Sequence, residues 1–144
     1  MKIGIIYGSM LGSTQSMSQK IADIFGKTEH EVNVSNVQNV QPKIMLDYDV
    51  ILLGCSTWGD GVLQDDFISF EENMKEVDLS GKKAAVFGPG DSTYARFCEA
   101  VDILDEKLIK CGAEIIHESL KIDGDVESQM DKVKDWTEGV MKKL

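Results

Sequence analysis

Three short segments gather the residue types that could bind or react. Residues 7–16 read YGSMLGSTQS, two glycines and a cluster of hydroxyls behind an apolar run. A loop that leads from a strand into a helix presents free backbone amides and the positive end of the helix dipole, which together hold an anion without a cation. Ser9, Ser13 and Thr14 add hydroxyl donors there, Gly12 permits close backbone approach, and Met10 and Leu11 bring amides but no hydroxyls. Hydrogen bonds to a charged group contribute ~1.5–3 kcal/mol each, so about six would hold a monophosphate. The segment lacks the Gly-Lys-Ser/Thr of a Walker A loop and the spacing of GxGxxG. Without the lysine it does not suit a nucleoside triphosphate with its Mg²⁺. A Ser/Gly turn that only caps a helix would read the same way.

The second segment, residues 54–61, reads GCSTWGDG, and the third, 87–98, reads FGPGDSTYARFC. Trp58 at the end of an apolar run, followed by Gly59, Asp60 and Gly61, puts a large ring on a flexible, acidic tip. Tyr94 follows a Gly-Asp-Ser-Thr turn and is expected at the start of a helix. One aromatic on each of two loops, with an anion loop on a third, describes a clamp for a flat ring on a phosphorylated tail. A Trp folded back onto the core is the alternative for the second segment.

Other chemistries find little support. Cys55, Cys98 and Cys111 form no CxxC pair, and an odd count argues against a disulfide framework. His30 and His117 stand alone, so neither a zinc site nor a Ser/His or Cys/His couple is indicated. No residue is required as acid, base or nucleophile, and no metal is expected. Cys98 and Cys55 read as small packing residues rather than redox thiols.

The elements that would position these loops alternate in period. Residues 2–7, 31–34, 50–54, 84–88 and 114–116, the last extending toward Ile122, read as strands. The most apolar of these suit a parallel sheet buried on both faces. Phe97, Val101, Leu104, Leu108 and Cys111 lie on one helix face, with Gly112 beyond it as a C′ residue. Met17, Ile21, Ile24 and Phe25 form a second face that ends near Gly26. Val126, Met130, Val133, Trp136 and Val140 form a third, with Asp125 as its expected N-cap, and a weaker helix spans 64–76. Alternating strands and helices predict a doubly wound α/β fold. In such folds ligands sit beyond the carboxyl ends of the strands, where the loops 9–14, 56–61 and 89–94 fall.

The 144 residues suit one domain, 1–144, and carry a formal net charge of −10. Between Asp47 and Asp78 nine carboxylates face one lysine, a balance of −8. That disfavours nucleic acid and anionic membranes and favours a basic protein partner, although a solvated acidic face reads the same way. No signal-like leader or span-length apolar run is present, so a soluble cytoplasmic monomer is expected.

At this point the sequence resembles a known family, the flavodoxins, nearest the short-chain type of anaerobic bacteria. The resemblance runs nearly end to end. Its most specific pieces are YGS..G.T (7–14), LLGCSTWGD (52–60), LQDDF (63–67), FG.GDS.Y (87–94), FC.AVD (97–102) and KIDGD (121–125). It implies a five-stranded parallel sheet in the order 2-1-3-4-5 with helices on both faces. It also implies non-covalent FMN. The phosphate would lie against Ser9, Met10, Leu11, Gly12, Ser13 and Thr14, with Ser56 joining. Trp58 and Tyr94 would sandwich the ring. Thr57, Gly59, Asp60, Gly61, Pro89, Gly90, Asp91, Arg96, Phe97 and Cys98 would surround the ribityl chain and the ring's polar edge. The Gly59 carbonyl would turn to accept the N5–H bond gained on one-electron reduction.

The implied function is low-potential, one-electron transfer between redox proteins in place of ferredoxin, through basic patches that meet the acidic face around Asp60, Asp65 and Asp66. Four features depart from the family pattern. Leu11 stands where Thr is frequent, Pro89 donates no N–H, Arg96 puts a cation near the expected pyrimidine edge, and the Trp58 loop is short before LQDDF. A small FMN-dependent NAD(P)H or quinone reductase is the rival, and a regulatory FMN-binding module is a third reading. A response-regulator receiver is set aside, because Tyr7-Gly8-Ser9 and Cys55-Ser56-Thr57 replace the acidic residues it needs.

Overall fold

The structure is a computed structural model that describes residues 1–8, 12–58 and 61–144, with Trp58 and Val62 described by their backbone alone. Strand β1 (Lys2–Gly8) leads into helix α1 (Ser13–Phe25), then β2 (Glu31–Asn36), two 3-10 turns, and β3 (Val50–Cys55). A short hairpin, β4 (Thr57–Trp58) and β5 (Val62–Leu63), precedes α2 (Asp65–Asn73). Then come β6 (Lys83–Gly90), α3 (Glu99–Lys110), β7 (Glu114–Ile115), β8 (Leu120–Asp123) and α4 (Met130–Met141).

The main sheet is parallel in the order β2-β1-β3-β6, with β7 and β8 both along the outer edge of β6. Counted by position this is the expected 2-1-3-4-5. The fifth strand is broken rather than continuous: β7 pairs with Lys83 and Ala84, and β8 with Phe87 to Gly90. At the break the Glu118 carbonyl accepts a 2.7 Å bond from the Trp136 indole. An edge strand tolerates such an interruption because its outer groups need no ladder partner.

Side-chain alternation along the strands divides the core in two. Ile3 and Ile5, Val50 and Leu52, and Ala85 and Phe87 pack with Met17, Ile21 and Phe25 of α1 and Val133, Trp136 and Val140 of α4. Ile6, Ile51, Leu53, Ala84 and Val86 turn the other way, toward Phe67 and Phe70 of α2 and Val101, Leu104 and Leu108 of α3. Strands apolar on both faces are therefore covered on both, as parallel sheets require. Gly112 has φ +99°, as a C′ residue should. Asp125 is not the N-cap expected of it: Val126 caps the 3-10 turn ahead of α4 and Gln129 caps α4, which begins later than expected, while the Asp125 carboxylate accepts from the Ser128 N–H at 3.3 Å.

Candidate functional site: three loops at the carboxyl edge of the sheet

Register aligns the three loops. Gly8 lies opposite Cys55, Gly54 opposite Phe87, and Gly90 opposite Asp123. The loops after β1, β3 and β6 therefore leave the same edge of the sheet.

At the first loop, Gly12 is the N-cap of α1 in a left-handed conformation, and the Ser16 N–H bonds its carbonyl at 2.9 Å. The amides of Ser13, Thr14 and Gln15 then have no acceptor within the helix. The first turn holds no acidic residue. Thr14 is 1% exposed, and its hydroxyl has no hydrogen-bond partner among the described residues. A buried hydroxyl without a partner costs about 1–3 kcal/mol, so its presence at a helix N-terminus points to a ligand acceptor. These features suit a phosphate. Ser9, Met10 and Leu11 lie outside the described residues.

The second loop is a hairpin, not the irregular tip that GCSTWGDG suggests. Thr57 pairs with Leu63 and Trp58 with Val62, leaving a three-residue connection. Gly61 closes it at φ +94°, the left-handed position such connections use. Gly59 and Asp60 lie outside the described residues. The base is fastened from two sides. The Gln64 N–H donates to the Ser56 carbonyl at 3.2 Å, and the Ala100 N–H donates to the Thr57 hydroxyl at 3.0 Å.

Gln64 is fully buried and caps α2. Its Oε1 accepts from the Asp66 N–H at 3.1 Å, and its Nε2 donates to Asp66 Oδ2 at 2.8 Å. Gln38 Nε2 donates to the same oxygen at 2.5 Å. The two amides hold the Asp66 carboxyl below the usual carboxylate range, Gln64 contributing more. A Cβ at Gly8 would stand 2.5 Å from Gln64 Oε1, so the amide packs directly on the β1 backbone.

The third loop is held at the surface. The Asp91 carboxylate accepts from the Thr93 N–H at 2.9 Å and the Thr93 hydroxyl at 2.7 Å. Asp123, at the end of β8, accepts from the Ser92 N–H and hydroxyl at 2.9 and 2.5 Å. Tyr94 is 49% exposed. It lies in turns and not at a helix start, since α3 begins only at Glu99. The reason is Cys98, whose φ of 52° makes it a left-handed N-cap. Pro89 belongs to β6, buried and opposite Ile122, rather than to the loop. Phe97 is half-buried and packs against the core.

Burial pushes the Cys98 thiol up to about 12, and the Cys55 thiol likewise. Both stay protonated at neutral pH and are poor nucleophiles, as packing residues should be.

Gly12, Ser13 and Thr14, Ser56, Thr57 and Gly61, and Gly90, Asp91, Tyr94, Arg96, Phe97 and Cys98 thus gather at one edge. Two residues were missed. Gln64 is an uncommon N-cap type, so LQDDF did not advertise it. Glu99 forms an ion pair with Arg96 at 3.5 Å, and its i,i+3 spacing was a readable signal.

Comparison with known proteins agrees with this geometry. The family model described as Flavodoxin matches residues 5–136. A flavodoxin of Maridesulfovibrio salexigens is 45% identical over 143 residues, covering 97% of each chain, and one of Nitratidesulfovibrio vulgaris is 38% identical over the same span. Among solved structures, oxidised Flavodoxin 2 of Bacillus cereus superposes with a TM-score of 0.94 at 39% identity over the whole of both chains. Strand order, loop placement and these likenesses agree, and the chain belongs to the flavodoxin family.

Proposed function

We propose that residues 1–144 form one FMN-binding domain that carries single electrons between redox proteins. The bound FMN supplies the electron-accepting chemistry. The chain's own residues bind, orient and bias it. The observation that carries the reading is the buried Thr14 hydroxyl at the N-terminus of α1, without a hydrogen-bond partner among the described residues, beside two loops that each bear an aromatic residue. Amides at the start of α1, with Ser9, Ser13, Thr14 and Ser56, take the phosphate, and Met10 and Leu11 add backbone amides. Trp58 and Tyr94 form the two walls of the ring site. The backbone around Asp60, Asp91 and Cys98 would meet the polar edge, and the Gly59 carbonyl would accept a hydrogen bond from the N5–H gained with the first electron. The family match favours this carrier over a reductase.

A fully reduced flavin is anionic, so nearby carboxylates oppose the second electron. One carboxylate at ~8 Å costs such an anion about 2 kcal/mol at an effective dielectric constant of ~20. The acidic stretch of residues 47–78 therefore favours a low second potential. Asp65 is exposed, and Asp66 lies beside it on a groove of about 600 Å³ between α2 and residues 37–43. With Asp60 they form the proposed docking face for a basic patch on the redox partner, used by a single copy of the chain. Among the described residues no helix is long and apolar enough to cross a membrane, and the cytoplasm is the proposed location.

Thr14→Val tests the phosphate assignment. It should weaken FMN binding by about 1.5–3 kcal/mol in a flavin fluorescence titration, while the FMN-free protein unfolds at the same denaturant concentration or higher. Unchanged affinity would remove Thr14 from the site.

A further inference from the structure

Glu99 is the first residue of α3, directly after the turns that carry Tyr94 and Arg96. A carboxylate in a first helical turn ordinarily stands in water, but this one is folded back. Its Oε2 is buried and accepts no hydrogen bond among the described residues. It lies 2.0 Å from where a Cβ on Gly61 would stand, and Arg96 Cδ lies 3.0 Å from the same point. A Cβ at 61 would displace it from this position. Gly61 closes the hairpin connection that Gly59 opens, so this carboxylate packs on the loop assigned above to the polar edge of the ring.

The Arg96 guanidinium sits 3.5 Å from Oε2, but the two side chains are unequally solvated, Arg96 being 63% exposed and Glu99 35%. Water screens the cation more than the anion. Their fields at the loop do not cancel, and net negative potential remains.

We propose that Glu99 sets the second reduction potential of the bound cofactor, its carboxylate at Gly61 disfavouring the negative charge of the fully reduced form while Arg96 offsets only part of that field. The inference rests on the FMN reading above. It gives Arg96 a smaller influence than its charge alone suggests, because its counter-ion is built into the same turn of chain.

A purely structural role for Glu99 would be the favourable pairing of an acid with the helix N-terminus, which affects unfolding but not potential. Glu99→Gln keeps the shape and removes the charge. In the FMN-loaded protein it should tighten binding of fully reduced FMN about tenfold relative to oxidised FMN, equal, with the first potential unchanged, to a rise of ~59 mV in the second one-electron potential. Arg96→Ala should shift the same ratio the opposite way and by less. Glu106→Gln, an exposed control on the same helix, should leave it unchanged. Dissociation constants for both forms and potentiometry read the effect, and thermal unfolding of the FMN-free protein reads any loss of helix stability separately. If Glu99→Gln moves the ratio no further than Glu106→Gln, the proposal is overturned. A parental chain that binds no FMN would instead defeat the cofactor reading.

Discussion

The hairpin bearing Trp58 and the turns bearing Tyr94 flank one edge of the sheet, but they are fastened differently. The hairpin is tied at its base from half-buried positions, by the backbone N–H of the buried Gln64 to the Ser56 carbonyl and by the Ala100 N–H at the start of α3 to the Thr57 hydroxyl. The Tyr94 turns are exposed from 91 to 96 and held by the carboxylates of Asp91 and Asp123. Buried hydrogen bonds resist opening because a released group would be left without water, whereas surface bonds exchange with solvent at little cost. Of the two walls proposed for the ring site, the hairpin is thus the more firmly held and the Tyr94 turns the more yielding.

The largest effect should come from releasing the fixed wall. Gln64→Leu removes a helix cap and a hydrogen bond to a carboxylate, and should lower stability by about 2–4 kcal/mol in denaturant unfolding. A loss below ~1 kcal/mol would show that the amide contributes little as the cap of α2.

Stacking compares the walls directly. Trp58→Ala should weaken FMN binding by about 1–3 kcal/mol, and Tyr94→Ala by an amount near the lower end of that range. Equal losses would erase the distinction.

Asp105 of α3 provides a measure away from both walls. Burial and the neighbouring Asp102 push its carboxyl up to about 6 against the lesser opposing effects of Lys121 and a Ser119 hydrogen bond, and its Oδ1 has no hydrogen-bond partner among the described residues. A raised folded value means the fold favours the neutral acid. The stability this provides is complete below the ordinary carboxylate value and lost as pH rises through about 6. Asp105→Asn should therefore stabilise by roughly 1–2 kcal/mol at neutral pH, after allowance for solvent screening, with no difference below pH ~4.

The smallest effect belongs to the yielding wall. Ser92 holds the Asp123 carboxyl below its usual range. Its contribution is therefore present above the ordinary carboxylate value and lost as pH falls through the depressed one. Asp123→Asn should weaken FMN binding about twofold at neutral pH, with the parental advantage gone in acid.

Legibility in the sequence follows the same division. The central strands were readable because apolar residues on both faces can only be buried, and α1 and α3 because their apolar faces repeat with helical period. The hairpin was not, since two-residue strands around Gly-Asp-Gly have no period to detect. Tyr94 was assigned to a helix start because nothing in Arg96-Phe97-Cys98 signals that Cys98 adopts a left-handed conformation. Pro89 looked like a loop residue, yet it sits in β6 opposite Ile122. The family resemblance supplied FMN and the ring contacts, which loop composition alone left at an anion and a flat ring. Glu99 became visible only through its contact with Gly61.

The most direct test of the carrier account is an anaerobic reductive titration of the FMN-loaded protein, followed by absorption and potential together. The account predicts two resolved one-electron steps, the second at distinctly lower potential, and no multiple-turnover oxidation of NADH without a partner protein. A single two-electron step accompanied by sustained NADH oxidation would contradict it.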